Sequence, residues 1–156
     1  MKKTLFFFAI LLLPFITFIS CEKSDKYIDW KVINDEWYEA NKNSLDVLTE
    51  SGLAYRRIGP EANPAERKPN PNDVVWLNIT GSYIDGIEFQ KETNEMKYIP
   101  NLNKGLQEGI LKMVEGEVYT FYIPYKIGYG TKTGDFNVPP YSTLKYTVKL
   151  IRSQAY

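Results

Sequence analysis

The chain of 156 residues contains no histidine and a single cysteine. Without histidine there is no Ser-His or Cys-His pair to activate a nucleophile. A zinc centre built from His and Cys within one chain is excluded as well, and one cysteine cannot form an intrachain disulfide. Net charge is also lacking. There are 19 basic and 19 acidic side chains, and without Lys2 and Lys3 the balance is 17 to 19. Nucleic-acid binders present a basic face, so no nucleic-acid partner is expected. No polybasic stretch is present to attract anionic lipid. Aromatic residues are plentiful, at 15% within an apolar share of 44%, and most lie in short alternating runs. This predicts one β-rich domain behind a leader.

The leader, MKKTLFFFAILLLPFITFISC, accounts for the cysteine. Lys2 and Lys3 form a positive start. Leu5 to Ile19 is nearly all apolar and short for a membrane span. Ser20 before Cys21 resembles a bacterial lipobox, with Phe18 where Leu is usual. The resemblance implies a signal peptide over 1–20 and lipidation of Cys21. The alternative is an uncleaved N-terminal anchor. Residues 21–26 then form a charged tether, and acyl chains on Cys21 would anchor the protein without spanning the bilayer. The expected location is a bacterial cell envelope, lipid-anchored to a membrane, with the outer membrane favoured and the domain extracytoplasmic.

Residues 27–50 show a helical period, with Tyr27, Trp30, Ile33, Trp37 and Ala40 at three- and four-residue steps and a break near Asn43-Ser44. The stripe packs on the domain, or else forms a dimer face or spacer. The domain proper is expected over 51–156. LAYRRI (53–58) reads as a strand. Residues 59–73 hold four prolines and read as a projecting polar loop. VVWLNITGSY (74–83) alternates as a strand, Asp85-Gly86 signals a hairpin turn, and IEFQ returns. MKYIP (96–100) is a separate extended piece. Leu102, Leu106, Ile110 and Met113 share one helical face over 102–114, closed by Glu115-Gly116. EVYTFYIPY (117–125) and TLKYTVKL (143–150) are two further strands. The expected fold class is α+β, an antiparallel sheet covered by one short helix, with an extra N-terminal helix.

Four blocks in this order resemble the FKBP-type peptidyl-prolyl isomerases: SGLAYRRI, NDVVWLNITGSYIDGIEF, KGLQEGILKMVEGE and IPYKIGYG with VPPYSTLKYTVKL. They span about two thirds of the chain. The resemblance implies a bent antiparallel sheet wrapped on a short helix, and proline-containing polypeptides as clients. It places Tyr129 as the loop tyrosine, Phe89 as a pocket wall, and Gln90 at a position where an aspartate is expected; these three are the candidate catalytic residues. It assigns substrate binding to Leu102, Asn103, Leu106, Val138, Tyr146 and Ile79. Asn103 is polar where an apolar residue is usual. Leu106 stands in place of a floor tryptophan, Ile79 in place of a tyrosine, and Tyr146 in place of a phenylalanine.

The implied chemistry agrees with the missing residue types. Rotation about an Xaa-Pro bond crosses a barrier of roughly 18–20 kcal/mol and breaks no covalent bond. No nucleophile, metal or cofactor is needed. A pocket that holds the proline ring and removes water from the carbonyl can favour the twisted imide. Leu for Trp and Gln for Asp weaken the expected pocket without closing it. Three functions stay open: an isomerase or folding helper of low turnover, a non-catalytic module that binds a protein partner in the envelope, and a structural lipoprotein that assembles through the 27–50 helix. The sequence does not indicate an oligomeric state.

Overall fold

The structure, a computed structural model, describes residues 26–63 and 65–156. The expected signal peptide, Cys21 and most of the tether lie outside the described residues. Six strands form one antiparallel sheet: β1 (Val47–Leu48), β2 (Ala54–Arg57), β3 (Asp73–Ser82), β4 (Glu88–Tyr98), β5 (Val118–Ile123) and β6 (Leu144–Ala155). Their order across the sheet is β1-β2-β5-β6-β3-β4. Two helices complete the fold, α1 (Ile28–Asn41) and α2 (Lys104–Ile110). No helix among the described residues is long and apolar enough to cross a membrane.

Strict alternation builds the sheet. Along β3, Val75, Leu77 and Ile79 are buried while Trp76, Asn78 and Thr80 lie half-buried on the other face. β5 and β6 repeat the pattern with Tyr119, Phe121 and Ile123, and with Leu144, Tyr146, Val148 and Leu150. Leu106, Ile110 and Met113 meet this face from the α2 side and form one core with it. The helix sits very close to the sheet because Gly105 has no side chain. A Cβ there would lie 2.4 Å from Cγ2 of Ile123.

β4 is a single long strand, not the two pieces expected from IEFQ and MKYIP. Its register against β3 slips between Leu77 and Ile79, where Asn94 takes a positive φ of 54° and donates its N–H to Oδ1 of Asn78 at 2.8 Å. This bulge breaks the alternation and hides the continuity from a periodic reading. The 58–72 connection is also less free than expected. The Arg67 carbonyl accepts from Glu115 N at 3.0 Å, and the Arg67 guanidinium pairs with buried Asp73 at 2.6 Å. Helix α2 ends at Ile110, earlier than expected, in turns closed by Lys112 N to Gly109 O and Met113 N to Ile110 O.

The N-terminal segment departs from its expected form in two ways. The helix stops at Asn41, a 3-10 turn covers Lys42–Ser44, and residues 47–48 pair with β2 as an edge strand. The helical reading of 27–50 therefore overruns by one strand; Val47 and Leu48 find ladder partners in Tyr55 and Ala54. The packed face is also rotated. Ile33 is 52% exposed, whereas Asn34 is fully buried and Tyr38 nearly so. Polar bonding decides this rotation. Asn34 Oδ1 accepts from Thr143 N at 2.8 Å, its Nδ2 donates to the Trp30 carbonyl, and Trp30 Nε1 donates to Ser142 Oγ at 3.0 Å. Tyr38 donates to the Gly52 carbonyl, and Trp37 meets Tyr122 edge-on at 5.0 Å. Helix α1 thus packs on the domain, clamped to the start of β6.

Two stability effects follow. Gly105→Ala should destabilise by about 1–3 kcal/mol in chemical denaturation, because overpacking against a stiff β-branched neighbour outweighs the gain in helix propensity. Asn34→Ala should cost about 1–3 kcal/mol by leaving the Thr143 N–H buried and unpaired. A midpoint unchanged from the parent in Asn34→Ala would show that α1 is not part of the cooperative unit.

Candidate functional site

A cleft of about 230 Å³ opens between α2, the long strand β4 and the loop after β5. Each element brings its residues by a local rule. Asn103 is the N-cap of α2; its Oδ1 accepts from Leu106 N at 3.0 Å, which turns the first helical turn and Leu106 toward the cleft. Leu106 lines the base and is 2% exposed. Leu102 enters from the preceding 3-10 turn, where its N–H bonds the Ile99 carbonyl. Gln107 Nε2 holds the Leu102 carbonyl at 2.6 Å and fixes that turn from behind.

Tyr129 reaches the cleft from the loop. The loop is tied by Gly130 N to Tyr125 O at 2.8 Å, Tyr141 N to Gly130 O at 2.9 Å and Gly134 N to Val138 O at 2.9 Å. These bonds make the loop a shaped rim. Burial pushes the Tyr129 phenol above its ordinary range, against the lowering effect of the neighbouring Tyr146 hydroxyl. On the β4 side, Gln90 Nε2 donates to Glu92 at 2.6 Å, and Lys97 pairs with the same carboxylate at 2.9 Å. Burial raises the Glu92 pKa, but the hydrogen bonds from Lys97 and Gln90 outweigh it and hold the carboxyl below its usual range. The Gln90 amide nitrogen is thereby engaged within its own strand.

The structure brings together Gln90, Leu102, Asn103, Leu106 and Tyr129 on one cleft wall or floor. It does not bring the other four sequence candidates to that surface. Ile79, Val138 and Tyr146 are buried in the core. Phe89 packs on Tyr83 at 5.0 Å and edge-on to Tyr146 at 5.7 Å. Register explains this second layer. Gln90 of β4, Gly81 of β3 and Tyr146 of β6 are cross-strand partners in one row. A Cβ on Gly81 would lie 2.6 Å from the Tyr146 ring and 2.7 Å from the Phe89 ring, so both rings fill the space that residue leaves.

Sequence reasoning missed Met96, Lys97, Tyr98 and Asn101, which border the cleft from the far end of β4 and the turn beyond it. It also missed Asp135 and Phe136 on the rim. Phe136 and Asn137 take consecutive positive φ values of 55° and 58°, and Phe136 is 48% exposed. A bulky side chain in that conformation is strained by roughly 1–2 kcal/mol. It is held with its ring partly in solvent at the mouth of the cleft. The only available signal was an aromatic inside a polar, Gly-rich loop.

The arrangement offers an apolar base, a hydroxyl above it, amides at two sides and an exposed aromatic at the mouth. Such a surface can bind an extended peptide and exclude water from part of it. It presents no nucleophile aligned with a base.

Comparison with known proteins came to the same region. A model of the family described as FKBP-type peptidyl-prolyl cis-trans isomerase matches residues 65–151, more than half of the chain. The FKBP-type peptidyl-prolyl cis-trans isomerase FkpA of Aeromonas hydrophila is 32% identical over 125 residues, covering 75% of this chain and 44% of that protein. The macrophage infectivity potentiator of Trypanosoma cruzi is 34% identical over 109 residues, covering 67% and 55%. The outer membrane protein MIP of Legionella longbeachae is 26% identical over 137 residues, covering 85% and 58%. The chain thus spans about half the length of these curated relatives. Among solved structures, a peptidyl-prolyl cis-trans isomerase from Pseudomonas syringae shares the fold at a TM-score of 0.72 and 19% identity, over 83% of this chain and 97% of that one. FkpA from Escherichia coli does so at 0.73 and 21%, over 81% and 62%.

The buried phenols give a spectroscopic check. Burial also pushes the Tyr146 hydroxyl far up, with Tyr129 adding to the effect. Tyrosinate absorbance followed through the ordinary transition near about pH 10 should have the same amplitude in Tyr146→Phe as in the parent. A loss of one tyrosine equivalent from that step would show that the phenol in question is solvated.

Proposed function

Because the chain belongs to the FKBP-type peptidyl-prolyl cis-trans isomerase family, we propose that it is a peptidyl-prolyl isomerase acting on proline-containing segments of exported polypeptides. The observation that carries this reading is the cleft, where Tyr129, Leu106, Asn103 and Gln90 face a common space within the matched residues. Isomerisation needs only that the twisted imide be favoured over the planar one. The apolar base formed by Leu102 and Leu106 takes the proline ring. Contact with that base strips water from the imide, which weakens the planar, charge-separated form. The Tyr129 hydroxyl holds substrate backbone and fixes the ring against the base. Leu106 offers less stacking surface than an aromatic floor would, so turnover is low.

The protein is placed in a bacterial cell envelope, anchored through lipid on Cys21. This rests on the leader and on the kinship with FkpA and the outer membrane protein MIP. Lys26 opens the described residues five positions after Cys21, and α1 is clamped to the domain. A second reading is a binding module without turnover. It is favoured by the Gln90 amide being engaged by Glu92 and by the leucine at the base.

The test is isomerisation of a panel of Xaa-Pro peptides by the full-length protein in detergent, followed by magnetisation exchange. Acceleration over buffer is expected, reduced at least about 10-fold in Tyr129→Ala and increased in Leu106→Trp. Binding of the same peptides without acceleration in the parent would establish the second reading. Neither binding nor acceleration would remove both.

A further inference from the structure

A second concave surface shares no lining residue with the cleft. It holds about 370 Å³ and is walled by Tyr27, Trp30, Tyr83, Ile87 and Pro139, and by Asp85. Helix α1 and the β3–β4 hairpin build it together. Trp30 meets Tyr83 edge-on at 6.0 Å, and its indole N–H is already engaged by Ser142 Oγ at 3.0 Å. The hairpin tip is braced. Tyr83 N donates to the Ile87 carbonyl at 2.9 Å, Gly86 N to the Tyr83 carbonyl at 3.0 Å, and Ile87 N to the Asp85 carboxylate at 2.9 Å. Ile87 is nonetheless 62% exposed, and Ile28, next to Tyr27, is 47% exposed. A fixed turn that holds isoleucine in water beside three aromatic rings marks an interaction surface.

The place of this surface in the chain identifies what covers it. Tyr27 is part of its wall and stands six positions after Cys21. Six residues span at most about 20 Å in any conformation. With Cys21 acylated, the reading proposed above on which this inference rests, the acyl chains enter the bilayer within that reach of the patch. The residue types suit that neighbour. Tyrosine and tryptophan favour the boundary between acyl chains and headgroups, where an apolar ring body and a polar tip are both satisfied. The Lys26 ammonium lies 5.3 Å from the Tyr27 ring centroid and suits the phosphate level. Asp29, in the same helical turn, and Asp85 oppose it, so the patch has no net attraction for an anionic surface. We propose that Tyr27, Trp30, Tyr83 and Ile87 form a face that rests on a zwitterionic phospholipid bilayer, so that the lipid anchor and this face together fix the orientation of the domain.

The fold supplies its own reference point. β3 runs for 10 residues from Asp73 to Ser82, so the turn before its start and the hairpin at its end lie roughly 30 Å apart. That turn is held by Asn70 N donating to the Asp73 carboxylate at 3.0 Å, and Lys68 beside it is exposed. A domain docked through Ile87 keeps Lys68 away from lipid, whereas a domain that tumbles on its tether brings both to the surface alike.

The experiment uses the whole protein, expressed in a bacterial host and reconstituted in phosphatidylcholine vesicles. Ile87→Cys and Lys68→Cys each carry a bimane fluorophore, and phosphatidylcholine with a nitroxide near its headgroup is the quencher. An acylated Cys21 has no free thiol, so the parent should take up no label even when denatured. Bimane at position 87 should lose most of its emission to the nitroxide lipid, and bimane at position 68 should lose none. Adding Ile28→Asp to Ile87→Cys sets a charge on the docked face at a half-exposed position, and should reduce the loss at 87. Equal quenching at 87 and 68, or none at either, would overturn the docked face while leaving the anchor standing. Cross-linking of Ile87→Cys between copies by a short bis-maleimide, without quenching by lipid, would give the patch to a second copy and overturn the proposal likewise. Label uptake by the denatured parent would reveal a free Cys21 thiol and overturn the anchor together with this inference.

Discussion

The seat of α2 on the sheet governs the rest of the molecule. At Gly105 the helix backbone comes so near Ile123 that no side chain fits between them. That contact sets the depth of the cleft, because Leu106 follows Gly105 directly and Asn103 precedes it by two positions in the same turn. Asn103 then does two things at once. Its oxygen starts the helix, and its nitrogen is buried without a hydrogen-bond partner among the described residues. A capping bond worth about 1 kcal/mol thus also fixes the turn that carries Leu106 into the cleft.

The second constraint is the row formed by Gln90, Gly81 and Tyr146 across three strands. It puts one polar side chain in the wall, none in the middle, and a large ring in the core behind the floor. The cleft consequently has two layers. Residues of α2, β4 and the Tyr129 loop touch its contents, while Phe89, Ile79, Val138 and Tyr146 lie in the packing behind them. Catalysis by a surface of this kind depends on shape, desolvation and fixed dipoles, which explains how a chain without histidine can belong to an enzyme family.

Much of this was legible in the sequence, for reasons that can be named. β3, β5 and β6 alternate cleanly because each buries one face, so period alone finds them. β4 was read as two fragments because the bulge around Asn94 shifts the alternation between the two halves. The N-terminal helix is legible but ends before its expected bound, and its inward face falls on Asn34, not on Ile33. Hydropathy ranks isoleucine as the buried residue, whereas the two hydrogen bonds of Asn34 to Thr143 and Trp30 decide the rotation. Tyr129, Leu106, Asn103 and Gln90 were accessible through the family resemblance. Phe136 and Asp135 were not, since nothing in Asp-Phe-Asn announces two successive residues at positive φ. Tyr146 was noticed as a tyrosine in place of a phenylalanine. Its hydroxyl ends buried in the core without a hydrogen-bond partner among the described residues, which the sequence does not announce.

The place of β6 carries one more consequence. This strand, near the end of the chain, lies between β5 and β3, and it also receives the clamp from α1 at Ser142 and Thr143. Two of the five strand pairings, those of β6 with β5 and with β3, therefore wait for residues 144–155 and join the two halves of the sheet. Before that, β3–β4 is a hairpin without a neighbour, and β2 and β5 have only each other. Such a topology folds late and as a whole, since non-local pairings must be closed before they stabilise anything. A chain still emerging from the ribosome has no competent core to collapse onto.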